Sequence, residues 1–147
     1  MIIKQKAALA GLVVALLPIP ACGPKALLQP GPGNHYGKED GRVFSVYIYA
    51  DTSQPGQCLA DLSVATLSKS KHHSVKWISD DGAAYTVDFT LGQHGSPFAQ
   101  PTFSVPTNGE VPSGPLTQNP AYYDYGIKDA NGNVCKQPSD PGFYVKP

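Results

Sequence analysis

Fifteen glycines and fifteen prolines are scattered through these 147 residues without a fixed period. Each proline removes a main-chain donor and fixes φ, and each glycine weakens a helix entropically, so long helices have no uninterrupted stretch to occupy. The lack of a G-X-Y repeat excludes a collagen. Between the breaks, the chain alternates apolar and polar residues with a period of two, the signature of half-buried strands.

From Val43, the side chains of Phe44, Val46 and Ile48 alternate with those of Ser45, Tyr47 and Tyr49. A turn cluster over Asp51–Gln57 separates this strand from a second, in which Leu62, Val64 and Thr66 alternate with Ser63, Ala65 and Leu67. Ser68–His73 forms a polar corner, Val75–Ile78 a short strand, and Ser79–Gly82 a turn whose glycine can take positive φ. The clearest alternation follows, with Tyr85, Val87, Phe89 and Leu91 apolar and Thr86, Asp88 and Thr90 expected to be wet. Thr102–Val105, then Tyr123, Tyr125 and Ile127, and finally Phe143–Val145 complete about seven strands, with the DANGN turn of Asp129–Asn133 between the last two. With no αβ alternation, the expected fold is all-β, a Greek-key sandwich of antiparallel strands.

Eleven basic side chains balance eleven acidic ones, which argues against a nucleic-acid partner. Charged residues are only 15% of the chain and aromatics 10%, too apolar a mixture for wholesale disorder, and the length suits one core.

The N-terminus carries an address. Lys4 and Lys6 precede an apolar run over Ala7–Leu17, too short for the roughly 20 residues of a spanning helix, and residues 1–21 read as a secretory signal peptide. Ile19-Pro20-Ala21-Cys22 resembles a bacterial lipobox, although Pro20 departs from that pattern. The resemblance implies cleavage before Cys22 and lipidation of its thiol, with plain secretion as the alternative. Loss of Lys4 and Lys6 would leave nine basic against eleven acidic groups and no methionine. Residues 22–41, rich in Gly and Pro, read as a flexible tether of about 25 Å root-mean-square span, with His35 and Tyr36 as linker side chains. Residues 42–147 form the domain.

If Cys22 carries lipid, Cys58 and Cys135 remain as an even pair in an oxidising compartment, and a disulfide between them is expected. It would close a loop of 77 residues, for which chain entropy predicts about 4.5 kcal/mol. Neither cysteine has the CxxC or CxxH spacing of a metal or redox site.

SVKWISDDGAAYTVDF (Ser74–Phe89) resembles the cupredoxin pattern of a V-x-W strand, a polar turn and an H-x-V-x-F strand. YDYGI (Tyr123–Ile127) and DPGFYV (Asp140–Val145) resemble the last two strands of that fold, and SPF (Ser96–Phe98) a segment between them. The likeness covers about Val43 to Val145. It implies a copper site built from two His, a Cys and an axial Met. Here Tyr85 stands at the first His position and Ile127 at the thiolate position, and no His follows His94. The resemblance therefore implies a scaffold with vacated ligand positions and no cofactor. An immunoglobulin-like sandwich is the alternative topology, since Cys58, Trp77 and Cys135 keep its Cys, Trp, Cys order, although Cys135 lies past a turn.

His72 and His73, adjacent and thus pointing to opposite faces of extended chain, read as solvated loop residues, and Asp80-Asp81 as a solvated turn. No GxSxG or supported Ser-His-Asp set appears, so no catalytic residue is assigned. The abundant aromatics, among them Tyr122, Tyr123, Tyr125, Phe143 and Tyr144, are expected to pack sheet faces. Tyr47 and Tyr49, opposite the apolar face of their strand, are expected to be exposed as a surface for an envelope protein or glycan. The functional expectation is a membrane-tethered, extracytoplasmic binding or structural module without catalysis. A copper or electron-transfer protein and, third, a surface-associated enzyme are the alternatives.

Overall fold

The computed structural model describes residues 39–147 except Ser139. The signal, Cys22, His35, Tyr36 and most of the tether lie outside the described residues. Glu39–Asp40, within the segment read as tether, form a short strand, β1.

Within the described residues the chain is all-β. After β1 come β2 (Val43–Ala50), β3 (Cys58–Ala60), β4 (Val64–Ser68), β5 (Ser74–Ser79), β6 (Tyr85–Asp88), β7 (Thr102–Val105), β8 (Glu110–Pro112), β9 (Tyr122–Asp124), β10 (Gly126–Lys128) and β11 (Gly142–Lys146). These eleven exceed the seven expected because β1, β3 and β8 are two or three residues long and because the 123–127 alternation is cut in two. One sheet runs β1-β2-β5-β8 with β3 also on β2; the others run β10-β6-β7 and β4-β11-β9. The expected purely antiparallel pairing is corrected: β2 with β5 and β4 with β11 are parallel. Both parallel pairs join strands that are distant in sequence, which parallel pairing requires.

The break at Tyr125 couples two sheets. β9 pairs with β11, and one residue later β10 pairs with β6. Tyr123, Tyr125 and Ile127 nevertheless all stay buried, so the inward face runs unbroken through the switch. These two sheets thus form one layer facing the first sheet. Trp77 of β5, fully buried, reaches across to Phe103 of β7 and Phe143 of β11, with ring centroids at 4.5 and 6.5 Å. Phe89, Phe98 and Tyr125 complete the aromatic cluster around it, and truncating such a residue to alanine costs about 3–5 kcal/mol.

The alternation over 85–91 does not persist to its end. β6 stops at Asp88, and Phe89–Leu91 form a single 3-10 turn. The Asp88 carboxylate accepts from the Thr90 N–H at 2.9 Å and the Thr90 hydroxyl at 2.6 Å, a local bond that draws the chain out of the ladder. It also accepts from Lys128 Nζ at 2.6 Å, so Asp88 is buried instead of wet, while Leu91 is exposed. Gly92 follows because a Cβ there would overlap the Asp124 main-chain oxygen.

Of the two histidines at the 68–73 corner, His72 is solvated and His73 is not. His73 is buried against Phe44, with ring centroids 5.0 Å apart, and its Nδ1 accepts the Ser68 N–H at 3.2 Å. The corner folds back on itself, and this imidazole supplies an acceptor that the turn needs.

Candidate functional site at the disulfide pole

Gly82, at φ +79°, closes the turn between β5 and β6 and lets the chain double back tightly. Within that turn the Asp81 carboxylate gathers the Ala50 N–H (2.8 Å), the Ala83 N–H (3.0 Å) and the Tyr85 hydroxyl (2.5 Å). Burial opposes ionisation of Asp81, but the bonds from Tyr85, Ala50 and Ala83 outweigh it and hold the carboxyl below its ordinary value. Asp81 is thus a structural acceptor as well as a turn residue. Burial and the adjacent Asp81 charge both push the Tyr85 phenol well above its ordinary value, keeping it a donor.

β6 and β10 set Val87 opposite Ile127 and Thr86 opposite Lys128. Tyr85, one step up the same face of β6, therefore sits beside the end of β10, where Asp129 begins the DANGN loop. Ile127 is fully buried and Tyr85 nearly so, at 4% exposure. The two positions singled out as vacated ligand sites are neighbours, and their side chains are sealed into the core and the turn. Among the described residues, no group of three His, Cys, Asp or Glu side chains converges as a metal site.

Cys58 and Cys135 form a disulfide with Cα atoms 5.3 Å apart. It ties edge strand β3 to the loop after β10. The Cys58 N–H bonds the Lys136 carbonyl, and the Lys136 N–H bonds the Gly56 carbonyl. On the far side, Asp129 organises its own loop by accepting from the Asn131 and Asn133 N–H groups, each at 2.9 Å, and from Asn133 Nδ2 at 3.2 Å. The Asn133 bonds in particular hold the Asp129 carboxyl below its ordinary range.

These pieces enclose a cleft of about 510 Å³. Tyr85, the disulfide and Asp129 line it with Ala84, Asn131 and Lys136. A hollow of about 300 Å³ adjoins it and shares Ala84, Tyr85, Asp129 and Ala130. Sequence reading found Tyr85 and the cysteines but missed the cleft. Its other walls, mostly alanines and amides with Gly56, Val134, Asp129 and Lys136, form no motif and are brought together by the disulfide and the β6–β10 register.

Tyr47 and Tyr49 do lie opposite Phe44, Val46 and Ile48, but both are half-buried where exposure was expected. The Asp61 carboxylate caps the Tyr47 N–H at 2.8 Å, and burial followed by the charges of Asp61, Asp51 and Asp80 raises the Tyr49 phenol. Asp61 thus continues the β3 edge alongside Tyr47, its own N–H bonding the Tyr47 carbonyl at 3.0 Å. The aromatic group is divided: Tyr123, Tyr125 and Phe143 are core, whereas Tyr144 is exposed and packs in a tilted arrangement against half-buried Tyr122, with ring centroids 4.7 Å apart.

Fold and site together define a disulfide-closed all-β sandwich with a preformed cleft at its closed end. The chain matches no protein-family model, and no curated protein matches it.

Proposed function

We propose that this chain is a membrane-tethered, extracytoplasmic binding module without catalytic activity, built on a copper-free cupredoxin-like scaffold. The observation that carries this reading is the adjacency of Tyr85 and Ile127 on paired strands, with the Tyr85 hydroxyl held by Asp81 and Ile127 closed into the core. Side chains that make hydrogen bonds and apolar contacts stand where the cupredoxin likeness would place copper ligands. The Cys58–Cys135 bond supports an oxidising compartment, in keeping with a secretory signal and with lipid on Cys22.

The placement of the cleft supports a binding role. β2 begins at Val43, next to β1 where the tether enters, and ends at Ala50, which lines the cleft. Its eight residues span about 23 Å at the usual strand rise. A domain held by its N-terminus would therefore present the cleft away from the lipid.

Two measurements on the mature protein test the reading. After exposure to copper and removal of excess metal, elemental analysis should find no stoichiometric copper; bound copper with intense visible absorption would establish the electron-transfer alternative. Mass spectrometry of the native N-terminus should find lipidated Cys22, and an unmodified start at another residue would remove the tether.

A further inference from the structure

We propose that the cleft at the disulfide pole binds a short extended peptide segment whose carboxylate is received by Lys136. This rests on the reading of the domain as a binding module and names its site and ligand class.

The cleft has the size of a ligand site, and the adjoining hollow lengthens it into a depression suited to an elongated occupant. It is preformed. The disulfide fixes one wall, Asp81 fixes Ala50, Ala83 and Tyr85, and Asp129 fixes the DANGN loop, so little ordering remains to be done on binding.

The lining selects a class. Much of the apolar lining, Ala50, Gly56, Ala83, Ala84 and Ala130, carries nothing larger than a methyl group, with Val134 and the disulfide as its larger parts, which allows a peptide main chain to approach closely over the alanines. The aromatic residue in the lining, Tyr85, is buried and its hydroxyl is already committed, so no exposed ring is available to stack on a sugar. The rim, in contrast, has unused polar capacity. The Asn131 side-chain amide has no partner among the described residues, and it can both donate to and accept from a peptide group. Lys136 is exposed and has no carboxylate partner among the described residues, whereas the Asp129 carboxylate is occupied by its own loop. The cleft thus carries one cation and one anion: the Asp129 oxygens are turned to the N–H groups of their own loop, whereas the Lys136 ammonium is open, and a carboxylate at or near the end of the peptide pairs with it there.

The test passes a randomised hexapeptide pool with free carboxyl termini over the immobilised full chain, with a C-terminally amidated pool and chitooligosaccharides as parallel probes. Retention of free-carboxylate peptides is expected, with a loss of at least about tenfold on amidation, in Lys136→Gln, and in Ala84→Trp, which fills both hollows. Ala130→Trp, on the exposed loop and away from the core, provides a second obstruction should Ala84→Trp fail to fold. Tyr144→Ser, on another sheet face, should retain peptides as the parent does. Retention that survives both tryptophans, or no retention of peptide at all, overturns the proposal. Retention of chitooligosaccharide alone overturns the peptide but keeps a binding module. Copper content and N-terminal mass, read on the same preparation, report the scaffold reading separately.

Discussion

The Tyr85 hydroxyl donates to Asp81 at 2.5 Å across the turn from β5 to β6, and the same carboxylate holds the Ala50 N–H at the end of β2. One acidic side chain thus clamps three segments that meet at the cleft. Tyr85→Phe keeps the ring and removes the donor to a charged acceptor, so a loss of about 1–3 kcal/mol is expected in urea unfolding. An unchanged midpoint would show that water replaces the phenol without cost.

Acid should weaken the fold through Asp81 and Asp88. In each, burial opposes ionisation and hydrogen bonds overcome it, from Tyr85 and main-chain N–H groups at Asp81 and from Lys128 and Thr90 at Asp88. Both folded-state values lie below the ordinary 3.8, so the unfolded chain takes up protons first as pH falls. Their contribution is complete above about pH 5 and disappears as pH drops through the folded-state values. Unfolding free energies measured across this range should be level near neutrality and fall below about pH 4, with a shallower fall in Asp88→Asn.

Replacing Cys58 and Cys135 together by alanine opens a 77-residue loop. The expected cost is about 2–5 kcal/mol, read as a lowered thermal midpoint, and it should be matched by the parent protein under reducing conditions. A smaller effect would place the constraint in the hydrogen bonds between Cys58, Lys136 and Gly56.

Tyr47 and Tyr49 supply a test of burial. As fully exposed residues they could become serine almost without effect, but half-buried rings should cost about 1 kcal/mol each. Chemical denaturation of the single variants distinguishes the two cases.

Several features were legible because they are local. Phe44, Val46 and Ile48 alternate with polar neighbours, and all three face the core. The Tyr123, Tyr125 and Ile127 pattern gave the correct inward face even though the strand breaks at its centre, since alternation reports side-chain direction and not ladder partners. The disulfide followed from pairing the two cysteines of the domain. Asp88 and His73 were misplaced for the opposite reason. Local polarity predicts a water-facing position for both, but each is buried with a supplied partner, and for Asp88 that partner is a lysine 40 residues away.

The order of short alternating segments and turns determined an all-β chain with a cysteine pair, because strand period, turn glycines and the lack of helical runs act over a few residues. Tertiary structure alone decided that β2 and β5 run parallel, that the Tyr122–Lys128 segment is divided between two sheets, and that Ala50, Ala84, Asn131 and Lys136 border one cleft. Those outcomes depend on which distant segments satisfy each other's hydrogen bonds and exclude water, and no local period encodes that choice.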